Sequence, residues 1–193
     1  MVYVKPGDSS LFSKVLMLYD FLMSRYKKIN LLFDEWMISE LQKIKNSDKD
    51  AVEQYKTLSD ERWPPKVFVN SGEEERKTID FIITIGGDGT ILWASKQFHG
   101  HHIPPFITFH MGSLGFLAQF ELDLTTLERV IPNMMCDDCM VQVDERMRLV
   151  VNIPTKPEQL VFRGTGKDWM LPENGKLIEV KDYHILNEVV IDR

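Results

Sequence analysis

The segment that most constrains this chain is residues 79–85, Ile-Asp-Phe-Ile-Ile-Thr-Ile. It is almost continuously apolar and rich in β-branched side chains. A run without polar alternation reads as a strand buried on both faces, and such strands belong to parallel sheets with helices on either side. The run stops abruptly at Gly86-Gly87-Asp88-Gly89-Thr90, and residues 91–98 then read as a helix. In open α/β sheets, ligands bind outside the carboxyl ends of the strands. Glycines let the backbone approach a phosphate closely and take φ > 0 at no steric cost. Thr90 adds a hydroxyl, and the helix behind it presents its N-terminus to an anion. Asp88 has the chemistry to bind Mg²⁺ or to take a proton from a hydroxyl nucleophile. The plain alternative is an ordinary strand-to-helix turn. At an average glycine usage of about 7%, this string arises by accident in fewer than about 1% of chains this long. We therefore read the turn as a phosphate or nucleotide site.

The rest of the chain supplies a frame for that turn. Residues 2–4 read as a short first strand, with Asp8, Ser9 or Ser10 placed to cap the next helix. Leu11, Val15, Leu18, Leu22 and Tyr26 recur at helical spacing and form one apolar face. Residues 29–33 read as a strand and 36–44 as a helix with a polar exit at 46–49. Residues 50–78 are charged and weakly patterned. Trp63-Pro64-Pro65 breaks any helix there, and 66–69 suit a short strand. Residues 73–77 read as a solvated charged face. A strand is expected at 106–109, a loop with two glycines at 111–117, and a short helix up to Ile131. Thr125-Thr126-Leu127-Glu128 has the capping-box spacing for that helix. Alternating strands and helices imply a parallel sheet with right-handed crossovers. After Pro132 the pattern changes. Residues 140–153, 176–180 and 184–191 are β-like, with no helix between them.

Composition narrows the classes of partner. The net charge of −6 makes the chain a poor binder of a phosphate backbone, so nucleic acid is not an expected partner. Backbone N–H groups and a metal ion bind a nucleotide without global positive charge. No apolar run reaches the roughly 18 residues of a membrane span, and the first residues resemble no targeting signal. The expectation is a cytoplasmic protein without a membrane partner. Cys136 and Cys139 are the two cysteines, too few for a disulfide framework. They make half of a zinc site that needs four ligands, and no second pair follows. His99, His101 and His102 lack a paired spacing, so no metal-ligating residues are assigned. Met134, Met135, Met140 and Met147 read as core fillers.

The motifs resemble a known family. Gly86-Gly87-Asp88-Gly89-Thr90 is similar to the signature of a kinase superfamily that includes NAD kinases, diacylglycerol kinases and phosphofructokinases. His110-Met111-Gly112-Ser113-Leu114-Gly115-Phe116-Leu117 resembles the NAD kinase loop that follows the next strand. A lipid kinase would show a Pro-x-Gly-Thr-x-Asn-Asp run there, and this chain does not. Leu186-Asn187-Glu188-Val189-Val190-Ile191-Asp192-Arg193 is similar to the Asn-Glu motif of NAD kinases. The likeness is specific over residues 79–131 and 183–193.

The resemblance, to the eukaryotic type of NAD kinase, implies an α/β fold. A Rossmann-like parallel-sheet domain, akin to those of phosphofructokinases and diacylglycerol kinases, would span residues 1–135. An incomplete β-rich sandwich domain would follow over 136–193. It implies transfer of the γ-phosphoryl of ATP to the adenosine-ribose 2′-hydroxyl of NAD, giving NADP, with Mg²⁺ or another divalent cation on the phosphates. Asp88 matches the family's general base. Gly86, Gly87, Gly89 and Thr90 match the phosphate-holding turn. Phe116 matches an apolar contact to a nucleotide ring, and Asn187 and Glu188 match residues that hold ribose hydroxyls. Adjacent strand side chains point to opposite faces, so Asn187 and Glu188 share a ligand only at a bulge or strand end.

Family members continue through a larger β-rich domain with further substrate motifs. The resemblance therefore also implies a C-terminally truncated kinase, weak or inactive alone. Its alternative role is as a non-catalytic partner of a full-length subunit, in a family that forms homo-oligomers. A lipid kinase of the diacylglycerol type is a lesser alternative.

Overall fold

Why β-branched residues at 82–85 form a strand is plain from their surroundings: Ile82, Ile83, Thr84 and Ile85 are all buried, with neighbours on both faces. The structure is a computed structural model that describes residues 1–59, 63–68, 73–98, 103–154 and 180–186. Ile82–Ile85 is β4 of a six-stranded sheet. The other strands are β1 (Val2–Val4), β2 (Leu32–Phe33), β3 (Lys66–Val67), β5 (Phe106–His110) and β6 (Phe120–Glu121). Their order across the sheet is β3-β2-β1-β4-β5-β6, and every pairing is parallel. The expected α/β class with a parallel sheet is therefore what the chain forms.

Helices cover both faces. They are α1 (Phe12–Arg25), α2 (Glu35–Ser47), α3 (Lys49–Gln54), α4 (Glu73–Lys77), α5 (Asp88–Ser95) and α6 (Leu124–Met134). Alternation along the strands sorts the side chains between two cores. Val2, Val4, Ile83, Ile85, Ile107 and Phe109 join Val15, Leu18 and Leu22 of α1 and Leu127 and Ile131 of α6. Tyr3 and Ile82 join Ala94 of α5 and Phe98 on the other side. There Trp93 meets Tyr3 edge-on, ring centroids 5.0 Å apart. Val15, Leu18 and Leu22 are completely buried, as their spacing predicts. Each such side chain contributes about 1.5–3 kcal/mol by leaving water.

Several local readings need correction. The polar stretch at 46–49 is not only an exit. Asp48 accepts the Ala51 N–H at 2.9 Å and starts α3 at once. Residues 73–77 are the mostly exposed charged face that was expected, and they form a short helix, α4, with the Arg76 guanidinium donating to the Gln97 carbonyl at 3.2 Å. The α6 cap is Asp123, two residues before the expected Thr125. Its carboxylate accepts the Thr126 N–H at 2.7 Å, and that bond is the first cause of its lowered pKa. The helix also runs past Ile131 to Met134 with Pro132 inside it, on the strength of fully buried Leu127 and Ile131. Met134 packs on the core, but Met140 and Met147 are 100% and 92% exposed and fill nothing. Cys136 and Cys139 are joined by a disulfide across a turn, Cα atoms 5.3 Å apart. Among the described residues no helix is long and apolar enough to cross a membrane.

The chain divides into two units, Met1–Val143 and Asp144–Arg193. In the second, β7 (Leu149–Pro154) pairs antiparallel with β8 (Val180–Ile185), Val150 opposite His184. The β-like run expected from residue 140 thus begins its ladder at Leu149. Where two runs were expected at 176–180 and 184–191, one strand covers 180–185. Residues 176–179 and 187–191 lie outside the described residues.

Two substitutions test this account of the core by urea denaturation. Leu18→Ala opens a cavity against the sheet and is expected to cost about 2–5 kcal/mol. The Thr84 hydroxyl is buried without a hydrogen-bond partner among the described residues. Thr84→Val removes that orphan at nearly constant shape and is expected to stabilise by about 1 kcal/mol.

Candidate functional site

In a parallel sheet the loops that leave the carboxyl ends of the strands gather at one end, and ligands bind where the strand order reverses. Here the reversal lies between β1 and β4. From β1 the chain goes to β2 on one side, and from β4 it goes to β5 on the other. The Gly86–Thr90 turn leaves β4 at that point. A cavity of about 600 Å³ lined by Met1, Lys27, Lys28, Lys66 and Asp80 opens instead at the amino ends of the strands. The topology directs the search away from it.

The turn is tighter than the sequence suggests. Helix α5 begins at Asp88, three residues before the expected Ile91, with Gly87 as its N-cap. Gly87 provides no side-chain cap, so the helix start faces the crevice without one. The Gly87 carbonyl accepts the Thr90 N–H at 2.9 Å, and the Gly86 N–H donates to Phe109 at 3.0 Å. Gly86 is required by space. A Cβ there would lie 3.0 Å from Thr90 Cβ and 3.2 Å from Lys5 Cβ. Thr90 is buried beneath it.

From the first turn of α5, Asp88 reaches the second loop. Its Oδ2 accepts the Phe116 N–H at 2.9 Å, and its Oδ1 accepts those of Leu117 at 3.0 Å and Ala118 at 3.2 Å. The carboxylate lies directly against Gly115, where any Cβ would collide with it, at 2.8 Å from Cγ. Hydrogen bonds to an ionised acceptor are roughly twice as strong as neutral ones. Thr108 of β5 holds the same loop from below. Its hydroxyl donates to the Leu117 carbonyl at 2.7 Å and accepts the Gln119 N–H at 3.3 Å. His110 Nδ1 lies 3.1 Å from the Gly112 carbonyl. Gly112, at φ +107°, takes a left-handed turn that side-chain-bearing residues avoid. A cavity of about 170 Å³ lies beside this loop, lined by Lys14, His110, Met111, Gly112, Glu121 and Leu122.

The structure thus brings Gly86, Gly87, Asp88, Gly89 and Thr90 together with the loop that carries Phe116. The Phe116 ring is 90% exposed although its N–H is anchored. Asn187 and Glu188 lie outside the described residues, as do His99, His101 and His102. Sequence reasoning missed Gly115 and Thr108. The second glycine of the loop was the available signal for the first, and nothing marked the second. No group of three or more His, Cys, Asp or Glu among the described residues could hold a metal ion. The described donors therefore do not by themselves build a cation site. A divalent ion here would have to bring most of its ligands with it, as Mg²⁺ does when it binds through phosphates and waters.

The family model of the ATP-NAD kinase N-terminal domain matches residues 1–138. The NAD(+) kinase of Saccharomyces cerevisiae is 29% identical over 198 aligned positions, covering 100% of this chain and 34% of that protein. The ATP-NADH kinase of the same yeast is 30% identical over 159 positions, covering 82% of this chain and 28% of its own length. A probable NAD kinase of Oryza sativa is 28% identical, covering 89% of this chain and 26% of its own length. The chain therefore spans about a third or less of these relatives. The crystal structure of yeast NADH kinase complexed with NADH superposes with a TM-score of 0.60 at 20% identity, over 94% of this chain and 45% of that one. That likeness shows a shared fold.

Two glycines separate the clasp from the turn experimentally. Gly115→Ala drives a methyl into the Asp88 carboxylate. Amide exchange at Phe116, Leu117 and Ala118, followed by NMR, is expected to accelerate at least tenfold. A Cβ at Gly89 meets nothing within 4 Å, so Gly89→Ala should leave those three amides as protected as before.

Proposed function

Because the chain belongs to the ATP-NAD kinase family, we propose that its glycine turn and second loop form the nucleotide site of an NAD kinase. The reaction is phosphorylation of the adenosine-ribose 2′-hydroxyl of NAD by ATP, giving NADP and ADP. The observation that carries this reading is the Asp88 carboxylate, which bridges the two motif loops at the reversal in strand order.

Each residue then has a task. Asp88 takes the proton of the 2′-hydroxyl as its oxygen forms the bond to the γ-phosphorus. The bond from that phosphorus to the β–γ bridging oxygen breaks, and ADP leaves with the electron pair. The hydrogen bonds from residues 116–118 fix the carboxylate's plane, and a positioned base is worth about 10²–10⁴-fold. Gly86, Gly87 and Gly89 let the nucleotide phosphates come close to the backbone at the start of α5, and Thr90 supports that turn from beneath. Phe116 offers its ring to a ring of the nucleotide, and Asn187 and Glu188 hold ribose hydroxyls. A divalent cation bound to the phosphates of ATP would supply charge neutralisation there. Residues 1–135 supply the nucleotide-binding part, and 136–193 the β-rich part.

The test combines binding with turnover in the purified chain, using NAD, ATP and Mg²⁺. Saturable nucleotide binding is expected, weakened by Phe116→Ala by about tenfold, the value of a lost aromatic contact. NADP formation, however slow, should fall about 10²–10⁴-fold in Asp88→Asn. Binding of neither nucleotide, or NADP formation indifferent to Asp88→Asn, would overturn the proposal.

A further inference from the structure

The reversal in strand order has two banks, and only one is occupied by the glycine turn. The other is the loop that leaves β1, Lys5-Pro6-Gly7-Asp8-Ser9-Ser10, and neither motif includes it. The Lys5 N–H donates to the Ile85 carbonyl at 3.0 Å, extending the β1–β4 pairing one residue to the edge of the turn. Lys5 Cβ lies against Gly86, where a methyl would come within 3.2 Å of it. The lysine side chain therefore starts beside the glycine turn.

Its ammonium has one long ion pair and is otherwise open to solvent. It is 58% exposed on the side chain, and its ion pair with Asp8 is at 3.9 Å, beyond hydrogen-bond length. Asp8 is itself engaged with Ser10, accepting the hydroxyl at 2.5 Å and the backbone N–H at 3.2 Å. The Ser10 hydroxyl bond is the first cause of the lowered Asp8 pKa. Asp8 is thus held by its own loop. Gly7, at φ +80°, turns that loop sharply directly after Pro6. What remains is an exposed cation on a flexible stem, next to a glycine turn and an uncapped helix start. A lysine serves phosphate as a mobile point charge.

Resting on the nucleotide-site reading above, we propose that Lys5 is a phosphate-contacting residue of this site, binding the polyphosphate of the nucleotide across the crevice from Gly86–Thr90. The shared chemistry is a di- or triphosphate, supplied by ATP or by NAD.

The experiment titrates wild type, Lys5→Gln and Lys5→Arg by calorimetry with ATP, NAD and adenosine, each at low and at physiological salt. Circular dichroism establishes that the variants fold. Lys5→Gln is expected to weaken ATP or NAD about tenfold, the size of one charge-assisted contact. The nucleotide affected identifies the source of the phosphate. Adenosine should bind all three proteins alike. Lys5→Arg should restore most of the affinity, and wild type should lose more affinity with added salt than Lys5→Gln does. Wild-type binding that Lys5→Gln leaves unchanged, or an equal loss for adenosine, would overturn the Lys5 assignment alone. A wild type that binds neither ATP nor NAD would overturn the nucleotide site and this assignment together.

Discussion

The site depends on one carboxylate shared between two loops. Asp88 leaves the first turn of α5, and the amides of residues 116–118 close around it at 2.9–3.2 Å. Loops outside the ladder of a sheet are ordinarily free to vary. This one is tied to a neighbouring strand's helix by a charge and to its own strand by Thr108. The tie also sets what residue 115 can be, because the carboxylate occupies the volume a side chain would need. Asp88 and Gly115 are therefore one feature written in two places, 27 positions apart by their numbers.

The sheet makes that meeting possible. Parallel pairing of β4 with β5 in register, Ile82 with Phe106 through Ile85 with Phe109, brings both strands to their ends at the same level. Their following loops then start side by side. The same logic puts β1 beside β4 and so sets Lys5 against Gly86.

Much of this was legible in the sequence, for local reasons. The strand read at 79–85, of which 82–85 pairs as β4, the glycine turn and the apolar face of α1 are each written within one short window. The order of strands is not. That β1 neighbours β4 is a pairing about 80 residues apart in sequence, with register Val2 to Ile83, and no local pattern encodes it. Lys5 was missed for that reason. The two-residue strands β2 and β3 lie inside the runs read as strands at 29–33 and 66–69 and are shorter than those runs suggest, whereas β6 is too short to alternate and was not read. β6 was invisible because it is placed by its pairing to β5, and by the Gln119 N–H just before it donating to the Thr108 hydroxyl, not by its composition. Glycine's poor helix propensity hid the early start of α5. Packing of buried Thr90 and Ile91 overrides it. At α6, Asp123 and Thr125 both had cap chemistry, and the carboxylate that reached the Thr126 N–H won. The residues at 187–188, read from a motif, lie outside what the structure describes.

The exposure of Phe116 follows from the same clasp. Leaving a phenylalanine in water forgoes roughly 1.5–3 kcal/mol that burial would provide, and a mobile loop would fold the ring back onto the protein. This loop is held by its backbone, so the ring projects at 90% exposure. A ligand that covers it gains the apolar contact without first ordering the loop, so the ordering cost on the protein's side is little more than one side-chain rotamer. The arrangement has a consequence for the chemistry. The amides that hold the ring in place also fix the carboxylate proposed as base. Any displacement of residues 116–118 therefore disturbs the ring and the carboxylate together, so in the proposed site the seating of a nucleotide on the ring and the orientation of the base would rest on the same three hydrogen bonds.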